Sequence, residues 1–117
     1  MAQAGSLNKR YFWVNHKLSM AVHSLAVGPE DIRGRLPRVY RLLADLSPTD
    51  FPEPLQADFE WVMSKLTARK PRWTGTEFGE TPAQASVAAM QSKTAARIAE
   101  RIVYISDRIL TVVMTDD

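Results

Sequence analysis

The sequence predicts an all-α fold, a four- or five-helix bundle in a single domain spanning residues 1–117, with 1–6 and 115–117 as flexible ends. The first observation behind this is spacing. Apolar side chains recur at alternating gaps of four and three in four stretches: Leu7, Tyr11, Val14, Leu18, Ala21, Leu25; Ile32, Leu36, Val39, Leu43, Leu46; Leu55, Phe59, Val62, Leu66; and Ile98, Ile102, Ile105, Ile109, Val112. Such spacing brings each set onto one helical stripe, and each stripe must find another apolar surface. The second is size: a chain of 117 residues, 45% of them apolar, is long enough to hide roughly two thirds of the surface its unfolded form exposes. The third is that the β-branched run near the end has no second strand signal to pair with.

The first helix has cap candidates in Ser6 and Asn8 and runs to about Val27, where Gly28-Pro29 stops it. Pro29 suits a first helical turn, and Glu30 and Asp31 complement the positive end of the second helix. Pro37 lacks the N–H that would bond the Arg33 carbonyl, and Gly34 lowers propensity nearby, so a kink or short break is expected there. The three prolines of Ser47-Pro48-Thr49-Asp50-Phe51-Pro52-Glu53-Pro54 make a rigid connector. A third helix opens near Pro52 to Pro54 and ends around Arg69. Residues 70–80 have no periodicity and form the main loop.

Thr81, Pro82 and Gln84 then specify a helix start through a cap, a first-turn proline and a capping-box side chain. A continuous helix from Pro82 to about Val113 would extend about 48 Å at roughly 1.5 Å per residue, well beyond the other helices. Its apolar end, from Ile102 to Met114, is unsuited to water. Either the helix breaks near Gln91 to Thr94 and its end closes the bundle, or the overhang is buried by self-association.

Composition excludes several classes of chemistry. With no cysteine there is no disulfide framework, thiolate metal site or thiol nucleophile. No signal-peptide pattern and no membrane-length apolar window occur, so a cytoplasmic protein is expected. The net charge of +2 implies no nucleic-acid partner by itself. There is no Gly-x-Ser-x-Gly elbow, phosphate-cradling loop or dinucleotide fingerprint, and no cofactor is expected. Glu30-Asp31 and Asp116-Asp117 are explained by helix-dipole compensation and solubility rather than catalysis.

Four groups of residues are candidates for contact. His16 and His23 share a face two turns apart, too far for joint ligation of one ion, so no metal site is expected. Arg35, Arg38 and Arg41 recur every three residues opposite the apolar stripe, a row that could track phosphates or an acidic surface, or simply be solvated. Lys70, Arg72, Trp73 and Phe78 join basic and aromatic groups in the loop, as suits a protein-binding hot spot or base stacking, though Glu77 and Glu80 dilute the basic field. Tyr11, Phe12 and Trp13 spread aromatics around the first helix, and Trp61 does the same on the third. One stripe cannot bury them all, so at least one of Phe12, Trp13 and Trp61 is expected outside the core.

Arg10 and His16, with five residues between them, resemble in form the Arg-x(4–6)-His signature of the HEPN domains, a family of small helical-bundle nucleases. The resemblance covers seven residues and lies in the first helix, whereas that family carries its motif in a late helical segment. It implies an Arg that polarises a scissile phosphate and a His that protonates it. Six helical positions nevertheless put the two side chains about 240° out of phase.

The reading that follows is a small, non-enzymatic, cytoplasmic helical module that binds another protein or itself. Its expected contact residues are Arg72, Trp73 and Phe78, accompanied by Arg38 and Arg41. One alternative is a nucleic-acid-binding helical module using the arginine row and the loop. A second is an RNA-cleaving bundle built on Arg10 and His16.

Overall fold

A 3-10 turn, Lys9–Tyr11, leads into α1, Phe12–Val27; α2 is Ile32–Leu43, α3 Glu53–Leu66, α4 Pro82–Ala88 and α5 Ser92–Met114. This computed structural model describes residues 9–28, 31–69 and 82–114, and no strand occurs among them. Long-range contacts fix the helix directions. Lys17 Nζ lies 3.3 Å from Asp45 Oδ2, and Arg35 Nη1 donates to the Leu25 carbonyl at 2.8 Å, so α1 and α2 are antiparallel. Arg33 Nη1 donates to the Met90 carbonyl at 3.3 Å, which puts the starts of α2 and α5 at one end. The Arg69 N–H donates to Ser86 Oγ at 3.0 Å, bringing the exit of α3 to that same end. The helices α2 and α5 therefore run one way, and α1 and α3 the other.

One buried cluster joins all five helices. It is built from the predicted stripes: Val14, Leu18, Ala21 and Leu25 of α1, Leu36, Val39 and Leu43 of α2, Leu55, Phe59, Val62 and Leu66 of α3, and Ile98, Ile102, Ile105 and Ile109 of α5. Phe51, from the connector, stacks on Phe59 with ring centroids 4.4 Å apart. Two stripe residues are only half-buried: Ile32, in the first turn of α2, and Val112. In α5 the buried series steps from Ile109 to Val113, because an α-helix turns every 3.6 residues and drifts past a strict 3.5-residue repeat. Leu7 lies outside the described residues.

Several local expectations are corrected. The α-helical part of α1 begins at Phe12 with Tyr11 at the cap position and no side-chain cap bond, while the cap candidates Ser6 and Asn8 lie outside the described residues. No break occurs at Pro37, and α2 is continuous from Ile32 to Leu43. Only one helical bond is forfeited there, and the fully buried Leu36 and Val39 on either side hold the turn in place. At the start of α2, Asp31 accepts from the Gly34 N–H at 3.0 Å, the expected acidic contribution made as a cap.

The connector contains a second 3-10 turn, Pro48–Asp50, closed when the Ser47 N–H donates to Asp50 Oδ2 at 2.8 Å. The end of α3 comes at Leu66, earlier than Arg69, where Thr67 turns to a φ of −121° while its N–H and hydroxyl both donate to the Met63 carbonyl, at 3.0 and 2.7 Å. Ala89, Met90 and Gln91 separate α4 from α5, so the last helical segment is broken and the overhanging continuous helix does not form.

Candidate functional site

Among the described residues, the exposed large apolar side chains are Phe12, Trp13, Met20 and Val27 of α1 and Val103, Tyr104, Leu110 and Met114 of α5. The helices α2, α3 and α4 contribute none. This division follows from helical phase. With Val14, Leu18, Ala21 and Leu25 turned inward, steps of about 100° per residue put Phe12, His16, Met20, His23 and Val27 on the outward crest of α1. The same counting puts Glu100, Val103, Asp107 and Met114 on the outward crest of α5. All nine of these side chains are exposed.

The two crests make one face because α1 and α5 lie side by side. Val22, Leu25 and Ala26 of α1 line a shallow hollow with Ala99, Glu100 and Val103 of α5. At the other margin of α1, His16, Met20 and His23 line a hollow shared with Arg38 and Leu42 of α2. Trp13, 56% exposed, stacks on His16 with ring centroids 6.2 Å apart and carries the Lys17 ammonium 4.9 Å from its ring centre. Exposed aromatic and thioether side chains of this kind are what protein interfaces enrich.

The expectation that at least one of Phe12, Trp13 and Trp61 leaves the core is met by the first two, while Trp61 is half-buried. The arginine row divides. Arg35 is half-buried and bonded to the Leu25 carbonyl, so it belongs to the α1–α2 junction and not to a solvated row. Arg38 and Arg41 are exposed and form no ion pair among the described residues. Arg72, Trp73 and Phe78 lie outside the described residues. Arg10 sits over the ring of Tyr11 at 5.4 Å, whereas His16 stacks on Trp13, so the pair singled out by the HEPN resemblance is engaged with different aromatic neighbours.

A third hollow, about 780 Å³, opens between α3 and α5 and is lined by Asp58, Trp61, Arg97, Glu100, Arg101 and Tyr104. Its chemistry is mostly committed internally. Arg101 Nη1 lies 2.6 Å from Asp58 Oδ1, and the guanidinium sits 5.0 Å from the centre of the Trp61 ring. Lys65 approaches the same ring at 5.7 Å.

Among the described residues no three His, Asp or Glu side chains gather in a way that could hold a metal ion. No described helix is long and apolar enough to cross a membrane. The chain matches no family model, no curated protein and no solved structure.

The sequence reading missed the outward crest of α5. Its signal was present: Glu100 and Asp107 are seven residues apart, as are His16 and His23, and Val103 and Leu110 repeat at the same interval. That second pattern is hidden beside a much stronger isoleucine stripe.

Proposed function

We propose that the chain is a cytoplasmic helical protein–protein interaction module whose docking surface is the outward face of α1 and α5. The observation that supports this is the confinement of all the large exposed apolar side chains among the described residues to those two neighbouring helices. Fully burying a Leu or Met side chain is worth roughly 1.5–3 kcal/mol, and these eight, already about half covered, each have about half of that left to gain on docking. Arg38, and Arg41 one helical turn further on, supply a basic margin. Arg72, Trp73 and Phe78 provide a further contact from the segment between α3 and α4.

The test is affinity purification of the tagged chain from its own cell, comparing wild type with Leu110→Glu and with Trp73→Ala. Thermal melts establish that each variant remains folded. A partner lost with Leu110→Glu supports the face, and one lost with Trp73→Ala supports the loop. An unchanged partner set in both overturns the proposal.

A second reading, nucleic-acid binding, draws support from the exposure of Arg38 and Arg41 without an acidic partner among the described residues. It is tested by fluorescence anisotropy with DNA and RNA at low salt. Absence of binding removes it.

A further inference from the structure

We infer that the occupant of the α1–α5 face is a second copy of this chain, docked about a twofold axis parallel to the helices so that His16 and His23 meet Asp107 and Glu100 of the other copy. The inference rests on the proposed docking role of this face and names its partner. Three observations lead to it.

The first is pattern. Along α1 the outward crest reads Phe12, His16, Met20, His23, Val27, an alternation of apolar groups with two imidazoles seven residues apart. Along α5 the crest carries Lys93, Glu100, Val103, Asp107 and Met114 with Leu110 at its α1 edge, and from Glu100 to Leu110 apolar groups alternate with two carboxylates at the same interval. All of these side chains are exposed, and neither carboxylate forms an ion pair among the described residues. Such crests are complementary to each other, and self-complementarity is what a twofold dimer requires.

The second is register. The shared hollow puts Val22 and Ala26 level with Val103 and Ala99. The helices run antiparallel, so the same stepping brings His16 level with Asp107 and His23 level with Glu100 to within about two residues, about 3 Å along the axis. A twofold axis parallel to the helices leaves height unchanged while exchanging left and right. It therefore seats α1 of one copy over α5 of the other at the levels they already share. Met20 then meets Val103 between the two His–carboxylate contacts, and Trp13 meets Leu110 about one turn beyond the His16–Asp107 contact. An imidazole opposite a carboxylate can donate an N–H whether it is neutral or charged.

The third is charge and extent. Arg38 borders the hollow that holds His16 and His23, adding positive charge beside the α1 crest. The arginines of α5 flank its crest, Arg97 and Arg101 in the hollow shared with α3 and Arg108 on that same side by its spacing, while Lys93 lies on the crest itself, seven residues before Glu100 and so about 10 Å beyond the level of His23. Over the stretch that faces His16 and His23, the α1 margin is thus positive and the α5 crest, at Glu100 and Asp107, negative. The 16 residues of α1 give the face a length of about 24 Å, and two packed helices give it a width of about 18 Å. That footprint, about 430 Å² in projection, is roughly half of the 800 Å² per partner of a standard interface, a size that suits a weak, concentration-dependent dimer.

The experiment is light scattering over a concentration series on the full chain, using wild type, Asp107→Lys, and the exchanged pair His16→Glu with Asp107→Lys. Wild type is expected to be a dimer. Asp107→Lys faces lysine with histidine at two symmetric contacts and is expected to weaken the dimer about tenfold or more. The exchanged pair is expected to recover most of that loss, which a merely damaged fold would not do. Wild type that stays monomeric at millimolar concentration overturns the dimer, and a dimer that the exchange fails to restore overturns this register. If wild type is monomeric yet Leu110→Glu still loses a co-purifying protein, the docking face stands with a different occupant. If that partner set is also unchanged, both proposals fall.

Discussion

Arg35 lies across Gly28. Its guanidinium donates to the Leu25 carbonyl at 2.8 Å, and the aliphatic stem passes so close that a Cβ on Gly28 would come within 2.7 Å of the Arg35 Cγ. It would also come within 2.9 Å of the Ser24 carbonyl oxygen, which is backbone and cannot swing away. The glycine is required here for close approach, since its φ of −61° is open to any residue. Gly28→Ala is therefore expected to destabilise the fold by about 1–3 kcal/mol, as overpacking does, measured by urea denaturation. An unchanged midpoint would show that the α1–α2 junction yields.

The second partner in that junction gives a separate prediction. Leu25 has one of the last carbonyls of α1, which no helical N–H can reach, and Arg35 supplies its donor. Arg35→Ala is expected to cost about 1.5–3 kcal/mol, the range for a hydrogen bond to a charged group, with faster amide exchange in the last turn of α1. Equal exchange in both proteins would count against the contact.

Pro37 points the other way. Its ring deprives the Arg33 carbonyl of a helical donor, and the helix is held together by the burial of Leu36 and Val39. Pro37→Ala restores the N–H, offset in part by the greater freedom of the unfolded chain. The net expectation is a gain of about 2 kcal/mol in chemical denaturation. A loss of stability would mean that packing of the half-buried ring outweighs the recovered bond.

Asp58 and Arg101 hold α3 to α5 beside Trp61. Both side chains keep contact with solvent, 20% and 42% exposed, so screening reduces the value of the pair. A double-mutant cycle with Asp58→Ala and Arg101→Ala is expected to give a coupling of about 1 kcal/mol that shrinks at high salt. Trp61 fluorescence should respond to Arg101→Ala, because the guanidinium leaves its ring face. A spectrum identical to wild type would contradict the stacking.

Arg38 and Arg41 test the nucleic-acid reading directly. If it holds, the Arg38→Glu, Arg41→Glu double variant loses binding, and wild-type affinity falls steeply with salt. Incubation of RNA with wild type and with His16→Ala tests the cleavage reading in the same way, and equal cleavage by both would end it.

The buried half of this molecule was legible because a helix converts sequence spacing into a face. Val14, Leu18, Ala21 and Leu25 had to be buried together, and they are. The break before α5 was readable only in part, since length showed that a helix begun at Pro82 would outrun its neighbours but left a break and a self-associating overhang equally open. Pro37 misled as to a break for a reason of scale: a local propensity penalty predicts an interruption, whereas the burial of Leu36 and Val39 is decided by tertiary packing. Arg35 misled because three-residue steps drift by about 60° each, so Arg35 stands on the flank of the buried stripe while Arg38 and Arg41 point outward, and its long side chain reaches a carbonyl on α1. The pairing of crests was the least legible feature. Nothing in one helix reveals that a neighbour carries the complementary pattern at the same height.

The separation of α4 from α5 at Ala89, Met90 and Gln91 bears on the order of assembly. At seven residues, α4 is too short to persist alone in water, and it shares its backbone ladder with no longer helix. Its Ser86 hydroxyl and the buried Ala83 and Val87 side chains acquire neighbours only once α2 and α3 are in place. We therefore expect α4 to dock last, with φ values near zero for Val87→Ala in refolding kinetics while Ile102→Val in α5 gives fractional ones. Values near one at Val87 would make α4 part of the nucleus instead.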